Sequence, residues 1–174
     1  AKAPPEIRAE GIFMQGVSKQ LTRLSTLILR LAAAGIVVMT AIIGWQIFGR
    51  YILNDTPIWS ERLSLYLMIY YILFASAVGV RQGFHLGLVL FRESLSGVPR
   101  LCVELLVHLC VGGFGLAMII YGSALAATTW GHVIPTLGIS TGTSYLPFPI
   151  AGVLIVLFSA EHIAKLFTPE EVAP

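Results

Sequence analysis

The chain has 174 residues, of which 56% are hydrophobic and only 11% are charged, and its mean hydropathy is +0.84. Soluble domains carry about 25% charged residues, and a soluble chain of this size could not bury so much apolar surface. The net charge of +2 says little about partners, but the chain has no basic block suited to nucleic acid, so we expect no nucleic-acid partner. We therefore expect an integral membrane protein.

The first predicted element is an amphipathic helix at residues 12–30, after a polar segment at residues 1–11 that we expect to be mobile. Apolar side chains recur at helical spacing and basic side chains fall on the other side. This pattern predicts a helix that either lies on the membrane surface or leads directly into the first span. The apolar run that follows is too long for a signal peptide, so residues 31–52 are interpreted as a retained first transmembrane helix.

A turn and a second span come next. Residues 54–57 have the composition of a turn. Ser60 is the predicted N-cap of helix two, which spans residues 61–80, and Glu61 lies in its first turn. Small residues at every fourth position then predict close helix packing in lipid. They are Ala75, Gly79, Gly83 and Gly87.

The second half of the chain contains two further spans. Residues 84–95 are apolar but too short to cross a membrane, so they are predicted to form an interfacial helix. Spans at residues 104–130 and 145–166 follow, joined by a loop at 131–144 that is rich in Gly, Pro, Ser and Thr. The sequence thus predicts an all-α integral membrane protein with four transmembrane helices. Amphipathic interfacial helices precede helix one and connect helices two and three.

These elements form a single predicted domain at residues 12–167, followed by a short tail at 168–174. Of the 11 Lys and Arg residues, nine fall on the side of the chain termini, and only Arg50 and Arg62 fall on the opposite side. The positive-inside rule therefore predicts that both termini are cytoplasmic. The tryptophans agree, because they lie near the outer ends of the spans. They are Trp45, Trp59 and Trp130.

Few residues suggest chemistry. We expect no buried carboxylate within a span, whereas membrane pumps and ion-coupled carriers use intramembrane acids or broken helices. The chain is therefore not expected to move a substrate by itself. No nucleophile–base pair indicates an enzyme. Cys102 and Cys110 lie too far apart on one helix for a disulfide and lack the spacing of a metal site.

The histidines leave a second interpretation open, in which the chain is a haem-binding or plain membrane anchor subunit of a redox enzyme. Haem between helices needs axial ligands that face one another at similar depth. His108 has no obvious partner at its own depth, and His162 could pair with it only if helix four were shifted. We therefore expect no cofactor, and we expect His108 to form an interhelical hydrogen bond.

Two motifs around helix two resemble the small membrane subunit of tripartite ATP-independent periplasmic (TRAP) transporters. They read FGRYILNDTPIWSERLSLYL and GVRQGFHLGL, and PTLGISTGTSYLPFPIAGVLIVL is similar to the last loop and helix of that family. The family shows Arg-Tyr, then Asn-x-Pro-x-Trp-x-Glu-Glu, then Arg-x-Gly-x-His. The matching residues are Arg50, Tyr51, Asn54, Trp59, Glu61, Arg81, Gly83 and His85. Two departures are an extra residue between Asn54 and Pro57, and Arg62 in place of a second acid.

The resemblance covers about residues 20–165 and implies a supporting role. In such transporters a periplasmic binding protein captures an organic acid, and a large sodium-coupled membrane subunit moves it like an elevator. The small subunit would brace the static part of that large subunit in the inner membrane. Candidate interface or structural residues are Arg50, Tyr51, Trp59, Ser60, Glu61, Gly79, Arg81, Gly83 and His85. Candidate contacts with the binding protein are His132, Pro135, Thr136, Thr141 and Tyr145.

Overall fold

The computed structural model describes residues 5–55, 57–82 and 98–167. In these ranges four long helices run through the chain, with a short β-hairpin and a 3-10 helix before the last one. In chain order the elements are α1 (Pro5–Tyr51), α2 (Ile58–Gln82), α3 (Val98–Thr128), β1 (Val133–Ile134), β2 (Ile139–Ser140), the 3-10 helix (Thr141–Tyr145) and α4 (Pro147–Phe167). The predicted interfacial helix at residues 84–95 and the tail at 168–174 lie outside the described residues.

All four helices of the described chain contain a segment long and apolar enough to cross a membrane. These segments are Ser18–Tyr51, Ile58–Gln82, Leu101–Thr128 and Thr141–Ala164, of which the last also includes the 3-10 helix before α4. The predicted fold class, an all-α multi-pass membrane protein with four transmembrane helices, is confirmed. Each helix buries little of its surface within the chain, so most of its apolar side chains face outward.

The first helix is much longer than a membrane is thick. α1 contains no proline after Pro5, so no backbone hydrogen bond is lost along its length. Its 47 residues extend roughly 70 Å, against about 30 Å of hydrocarbon. The basic amphipathic segment therefore leads directly into the first span. α1 begins within the predicted N-terminal segment 1–11, and the mobility of that segment stays a prediction.

The packed face of α1 matches the apolar face that the periodicity indicated only in part, since Leu21 and Ile28 pack against the core. Leu24 and Leu31 are exposed, whereas Ser25 and Ala32 are buried. The physical reason is that the partner at this level is the polar side chain of Arg81, which a serine can hydrogen-bond and a leucine cannot.

The predicted turn between helices one and two is confirmed. Asn54 adopts the left-handed conformation with φ of 52°, which asparagine tolerates better than most residues. The N–H of Asp55 donates to the carbonyl of Gly49 at 3.1 Å, which closes the end of α1. A Cβ on Gly49 would lie 2.8 Å from the carbonyl oxygen of Asp55, so the chain can reverse here only over a glycine.

The N-cap prediction for Ser60 is wrong. α2 begins at Ile58, so Ser60 lies inside the first turn. Its hydroxyl is fully buried and donates to the carbonyl of Pro57 at 2.6 Å instead of accepting a backbone N–H. Pro57 directly precedes the helix, and its carbonyl also accepts the N–H of Ser60 at 3.1 Å, so the helical hydrogen bonding begins before the serine. Glu61 does lie in the first turn, as predicted.

Helices α3 and α4 form the tightest pair in the described chain. A Cβ on Gly115 would lie 3.0 Å from the carbonyl oxygen of Gly152, and one on Gly152 would lie 2.6 Å from the carbonyl oxygen of Gly115. At the next level, a Cβ on Gly122 would lie 2.8 Å from the Cβ of Phe148. Glycine therefore lets these two backbones approach closely, as small residues do in lipid.

The core lies where α2 meets this pair. Phe158 and Ala151 of α4 and Ala77 of α2 are fully buried, with Met118 and Ile155 beside them. The α4 face that α2 covers is thus the most completely buried surface of the described bundle.

The predicted loop at residues 131–144 contains regular structure. Val133 pairs with Ser140 and Ile134 with Ile139 in an antiparallel hairpin. Gly138, at φ of +68°, supplies the left-handed conformation that the tight connection needs. The hydroxyl of Ser140 donates to the carbonyl of Trp130 at 2.6 Å, which fastens the hairpin to the end of α3.

Candidate functional site

One end of the bundle, which we call the Arg81 end, is organised by a single arginine near the end of α2. Arg81 Nε lies 3.1 Å from Glu161 Oε2, and Arg81 Nη2 lies 3.4 Å from Glu161 Oε1. Both side chains are largely buried, with 14% and 7% of their surfaces exposed. The guanidinium carbon also lies 5.7 Å from the centre of the Phe158 ring. The pair therefore has the forked geometry and the second, aromatic contact that favour a buried arginine.

The same guanidinium holds the first helix. Nη1 donates to the Ser25 hydroxyl at 3.0 Å, and Nη2 donates to the Thr22 hydroxyl at 2.8 Å and to the Ser18 carbonyl at 3.2 Å. The Ser18 hydroxyl in turn donates to Glu161 Oε1 at 2.8 Å. Serines and threonines one helical turn apart lie on the same face of α1, so that face is complementary to Arg81.

The third helix joins the Arg81 end through two histidines. The rings of His108 and His162 stack with their centres 4.7 Å apart and their planes 4° apart. His162 Nε2 lies 2.9 Å from the carbonyl oxygen of Arg81. Because a carbonyl only accepts, this nitrogen carries a proton, and it satisfies one of the last carbonyls of α2.

The expectation that His108 lacks a partner at its depth is wrong. The 3-10 helix lies against the end of α3, since a Cβ on Gly142 would lie 2.5 Å from the carbonyl oxygen of Ala126. α4 therefore begins beside the last turn of α3 and not beyond its end. This shift along the helix axis brings His162 to the level of His108. The two rings stack face to face, so their nitrogens do not converge on a point between them as the axial ligands of a haem would.

The expectation that no span holds a buried carboxylate is also wrong. Glu161 lies inside the fourth span and is 7% exposed on its side chain. No apolar pattern reveals its partner, because Arg81 is distant in sequence and only tertiary packing brings the two together. Its charge is compensated by Arg81 and its oxygens accept hydrogen bonds from α1 and α2. The charge of this carboxylate is therefore paired inside the bundle.

The opposite end, which we call the loop end, is built from α2 and the hairpin. Tyr70 donates to the carbonyl of Thr143 at 2.6 Å, and its oxygen lies 3.1 Å from that of Tyr66. Since Tyr70 uses its proton for Thr143, Tyr66 is the donor of the second bond. This relay fixes the 3-10 helix against the middle of α2.

A groove of about 530 Å³ opens beside this relay. Arg62 is the one charged side chain among the described residues that line it, and Tyr66 and the hairpin form its walls. Four residues predicted to contact a binding protein line the same groove, namely Pro135, Thr136, Thr141 and Tyr145. His132, the fifth, is exposed nearby on the chain that enters the hairpin. The structure thus brings most of the predicted contact loop together with α2.

The predicted motif residues of the first connection are also at the loop end. Tyr51 is 76% exposed and Trp59 is 42% exposed, while Arg50 and Glu61 are exposed as well. Arg50 and Glu61 do not form a salt bridge with each other, and the salt bridge within the described chain joins Arg81 to Glu161. These side chains therefore face away from the bundle.

The small-residue stripe does not pack within the described chain. Ala75 is exposed, and a Cβ on Gly79 would meet no heavy atom within 4 Å. Gly83, Gly87 and His85 lie outside the described residues. Gly115 and Gly152, which make the close approach between α3 and α4, were not singled out from the sequence, although both lie within strongly apolar helices.

Described residues offer no group of three or more His, Cys, Asp or Glu side chains that could hold a metal ion. Cys102 and Cys110 are both free and exposed on α3.

Comparison with known proteins agrees with this geometry. Residues 39–168 match the family model described as "Tripartite ATP-independent periplasmic transporters, DctQ component". The chain is also 30% identical over 128 residues to the sialic acid TRAP transporter small permease protein of Vibrio cholerae. That match covers 74% of this chain and 74% of the relative. With four membrane-spanning helices and a family match over most of its length, the chain belongs to the DctQ family, the small permease component of TRAP transporters.

Proposed function

We propose that this chain is the non-transporting scaffold subunit of a sodium-coupled TRAP transporter for organic acids. Its partners are a large, many-helix permease subunit, which it braces, and a periplasmic substrate-binding protein. The substrate class is supported by the relative from Vibrio cholerae, whose name gives sialic acid as its substrate. Sodium binding and substrate movement belong to the large subunit.

The observation that carries this proposal is the compensated carboxylate of Glu161. A carrier needs either an intramembrane acid whose charge changes partner during transport or a broken helix that forms the binding site. Glu161 is instead held by Arg81 and Ser18, which lie on two other helices. The other two acids in the described spans, Glu61 and Glu104, each lie only three residues from the start of their span, at Ile58 and Leu101. A bundle of this kind keeps a fixed shape, as a brace requires.

The outward faces of α1 and α2 supply the surface for bracing. Large apolar side chains on both helices are exposed, including Val37, Trp45 and Ile72. In the transporter we assign these faces to the large subunit and to lipid.

The loop end is the proposed contact with the binding protein. We assign the chain to the inner membrane of a bacterial or archaeal cell. The distribution of Lys and Arg supports an orientation in which both termini lie in the cytoplasm. The hairpin and Arg62 then face the periplasm. A groove with one cation and aromatic walls is suited to an acidic side chain of the docking protein.

Affinity purification of the tagged chain from its native membrane in mild detergent tests the assignment. We expect a many-helix permease to co-purify in roughly equal amount, as mass spectrometry would record. Recovery of a flavin or haem enzyme in its place would overturn the scaffold role. The Arg62→Gln variant provides a matched second measurement, because it should retain the permease while lowering substrate uptake and crosslinking to the binding protein.

Cysteine labelling tests the orientation. In a background with Cys102→Ser and Cys110→Ser, a cysteine introduced at Thr136 should react with a membrane-impermeant maleimide in spheroplasts. A cysteine introduced at Lys19 should react only after the inner membrane is opened. The reverse pattern would place the termini outside and remove the proposed docking role of the hairpin.

A further inference from the structure

A basic groove on the first helix is not used by the proposed function. It has a volume of about 800 Å³, and its described lining residues all belong to α1. Three of them are cations, Lys19, Arg23 and Arg30, and all three are exposed. Leu27 forms an apolar wall between them and is 55% exposed. The groove therefore combines a charged rim with an apolar surface.

No salt bridge holds these cations among the side chains that the structure describes. The salt bridge recorded for the described chain joins Arg81 to Glu161, and Glu161 faces inward with 7% of its side chain exposed. The hydroxyls that line the groove are engaged internally: Ser18 donates to Glu161, and Thr22 and Thr26 donate to backbone carbonyls of α1. A ligand in this groove would thus meet three positive charges, together with hydroxyl groups whose protons are already donated to other acceptors within the chain.

The position of the groove along α1 corresponds to a lipid headgroup. If Tyr51 lies at one boundary of the hydrocarbon, about 30 Å of helix ends close to Arg30, because each residue rises about 1.5 Å. Arg23 and Lys19 follow within about three turns. Long basic side chains bend toward the headgroup layer from such positions.

We propose that Lys19, Arg23 and Arg30 bind the headgroup of an anionic phospholipid, whose glycerol backbone lies against Leu27 and whose acyl chains extend past Arg30 into the hydrocarbon. The partner is an anionic lipid because the groove has an excess of positive charge at headgroup depth and an apolar wall that a soluble anion would not use. The bound lipid fills the space between the basic segment and the hydrocarbon. This site is independent of the transporter assignment, since it rests on α1 alone.

Native mass spectrometry of the purified chain tests the proposal, with phosphatidylglycerol and phosphatidylcholine added in equal amounts. Wild type should retain phosphatidylglycerol preferentially. Each cation changed to glutamine should lower that retention by about five-fold at low salt, since a basic residue near an anionic surface contributes close to that factor. The loss should shrink as salt screens the charges.

Arg50→Gln and Arg62→Gln are the matched controls, because they remove cations at the loop end and should leave retention unchanged. Leu27→Ala tests the lipid directly, since it should weaken phosphatidylglycerol binding without a change in charge. Added inorganic phosphate should not displace the lipid, and displacement by phosphate would indicate a simple anion site and overturn the proposal. Equal retention of the two lipids, or equal retention by wild type and the triple variant Lys19→Gln, Arg23→Gln, Arg30→Gln, would also overturn it.

Discussion

The two ends of this bundle are stabilised in different ways. At the Arg81 end, polar side chains from all four described helices contact one another, centred on the ion pair of Arg81 with Glu161. At the loop end, backbone pairing and a tyrosine relay hold the hairpin, while Arg62 and Trp59 remain exposed. The buried charges of the Arg81 end are paired with each other, whereas the loop end leaves Arg62 exposed and available to a partner.

This difference separates a structural role from a contact role. Buried charges in an apolar bundle are costly unless they are paired, so side chains of the Arg81 end must keep their arrangement. Exposed residues of the loop end can change partners at little cost to the fold. Substitutions at the Arg81 end should therefore affect stability, and substitutions at the loop end should affect association.

The largest effect is expected from breaking the buried ion pair. Glu161→Gln or Arg81→Met should lower the free energy of unfolding in detergent by about 3–5 kcal/mol, because the remaining charge is left buried without compensation. The double variant Arg81→Met, Glu161→Met should recover much of this loss. Thermal unfolding followed by circular dichroism measures each change.

Arg62→Met is the matched control for that experiment, since its side chain is exposed at the loop end. An equal loss of stability in this control, or no loss in either single variant, would contradict the division between the two ends.

A smaller effect is expected where α3 crosses α4 between the two ends. Gly115→Leu should destabilise the bundle by about 1–3 kcal/mol, because even its Cβ would lie 3.0 Å from the Gly152 carbonyl oxygen and from two side chains of α4. Gly113→Leu, on the same helix, should have little effect on the isolated chain, since no heavy atom lies within 4 Å of its Cβ position. Similar unfolding temperatures for the two variants would show that the close crossing is not required.

The smallest effect is expected in the tyrosine relay. Tyr70→Phe removes the hydrogen bond to the carbonyl of Thr143 and should cost about 1 kcal/mol. The change should appear as faster amide hydrogen exchange in the 3-10 helix, with unchanged exchange around Arg81. Tyr121→Phe is the control, because its side chain is 75% exposed on α3. Faster exchange at both ends would mean that the ends are not independent.

Much of the fold could be predicted from the sequence because a membrane-spanning helix needs a long apolar run and little else. The turn at Asn54 and the four described spans were found in this way. The boundary at Ser60 was missed, because the helical hydrogen bonding begins at Pro57, before the serine. The hairpin was read as an irregular loop, since its strands are only two residues long.

The contacts between helices were less accessible to sequence reasoning. Every apolar helix in such a chain can face lipid or protein, so periodicity does not indicate which face is buried. Gly79 looked like a packing residue and is open, whereas Gly115 makes the close approach. The resemblance did single out Arg81, but neither its partner Glu161 nor the role of Ser25 followed from any motif.

The four membrane spans could be predicted from sequence because each is one continuous apolar segment. The family could be predicted because its motifs are short and local. Tertiary structure alone decided that Glu161 is compensated, that His162 reaches the depth of His108, and that the hairpin lies beside Arg62. These outcomes depend on the rotation and depth of each helix relative to the others. In lipid, those quantities are set by close packing and by the pairing of a few buried polar groups, which lie far apart along the chain.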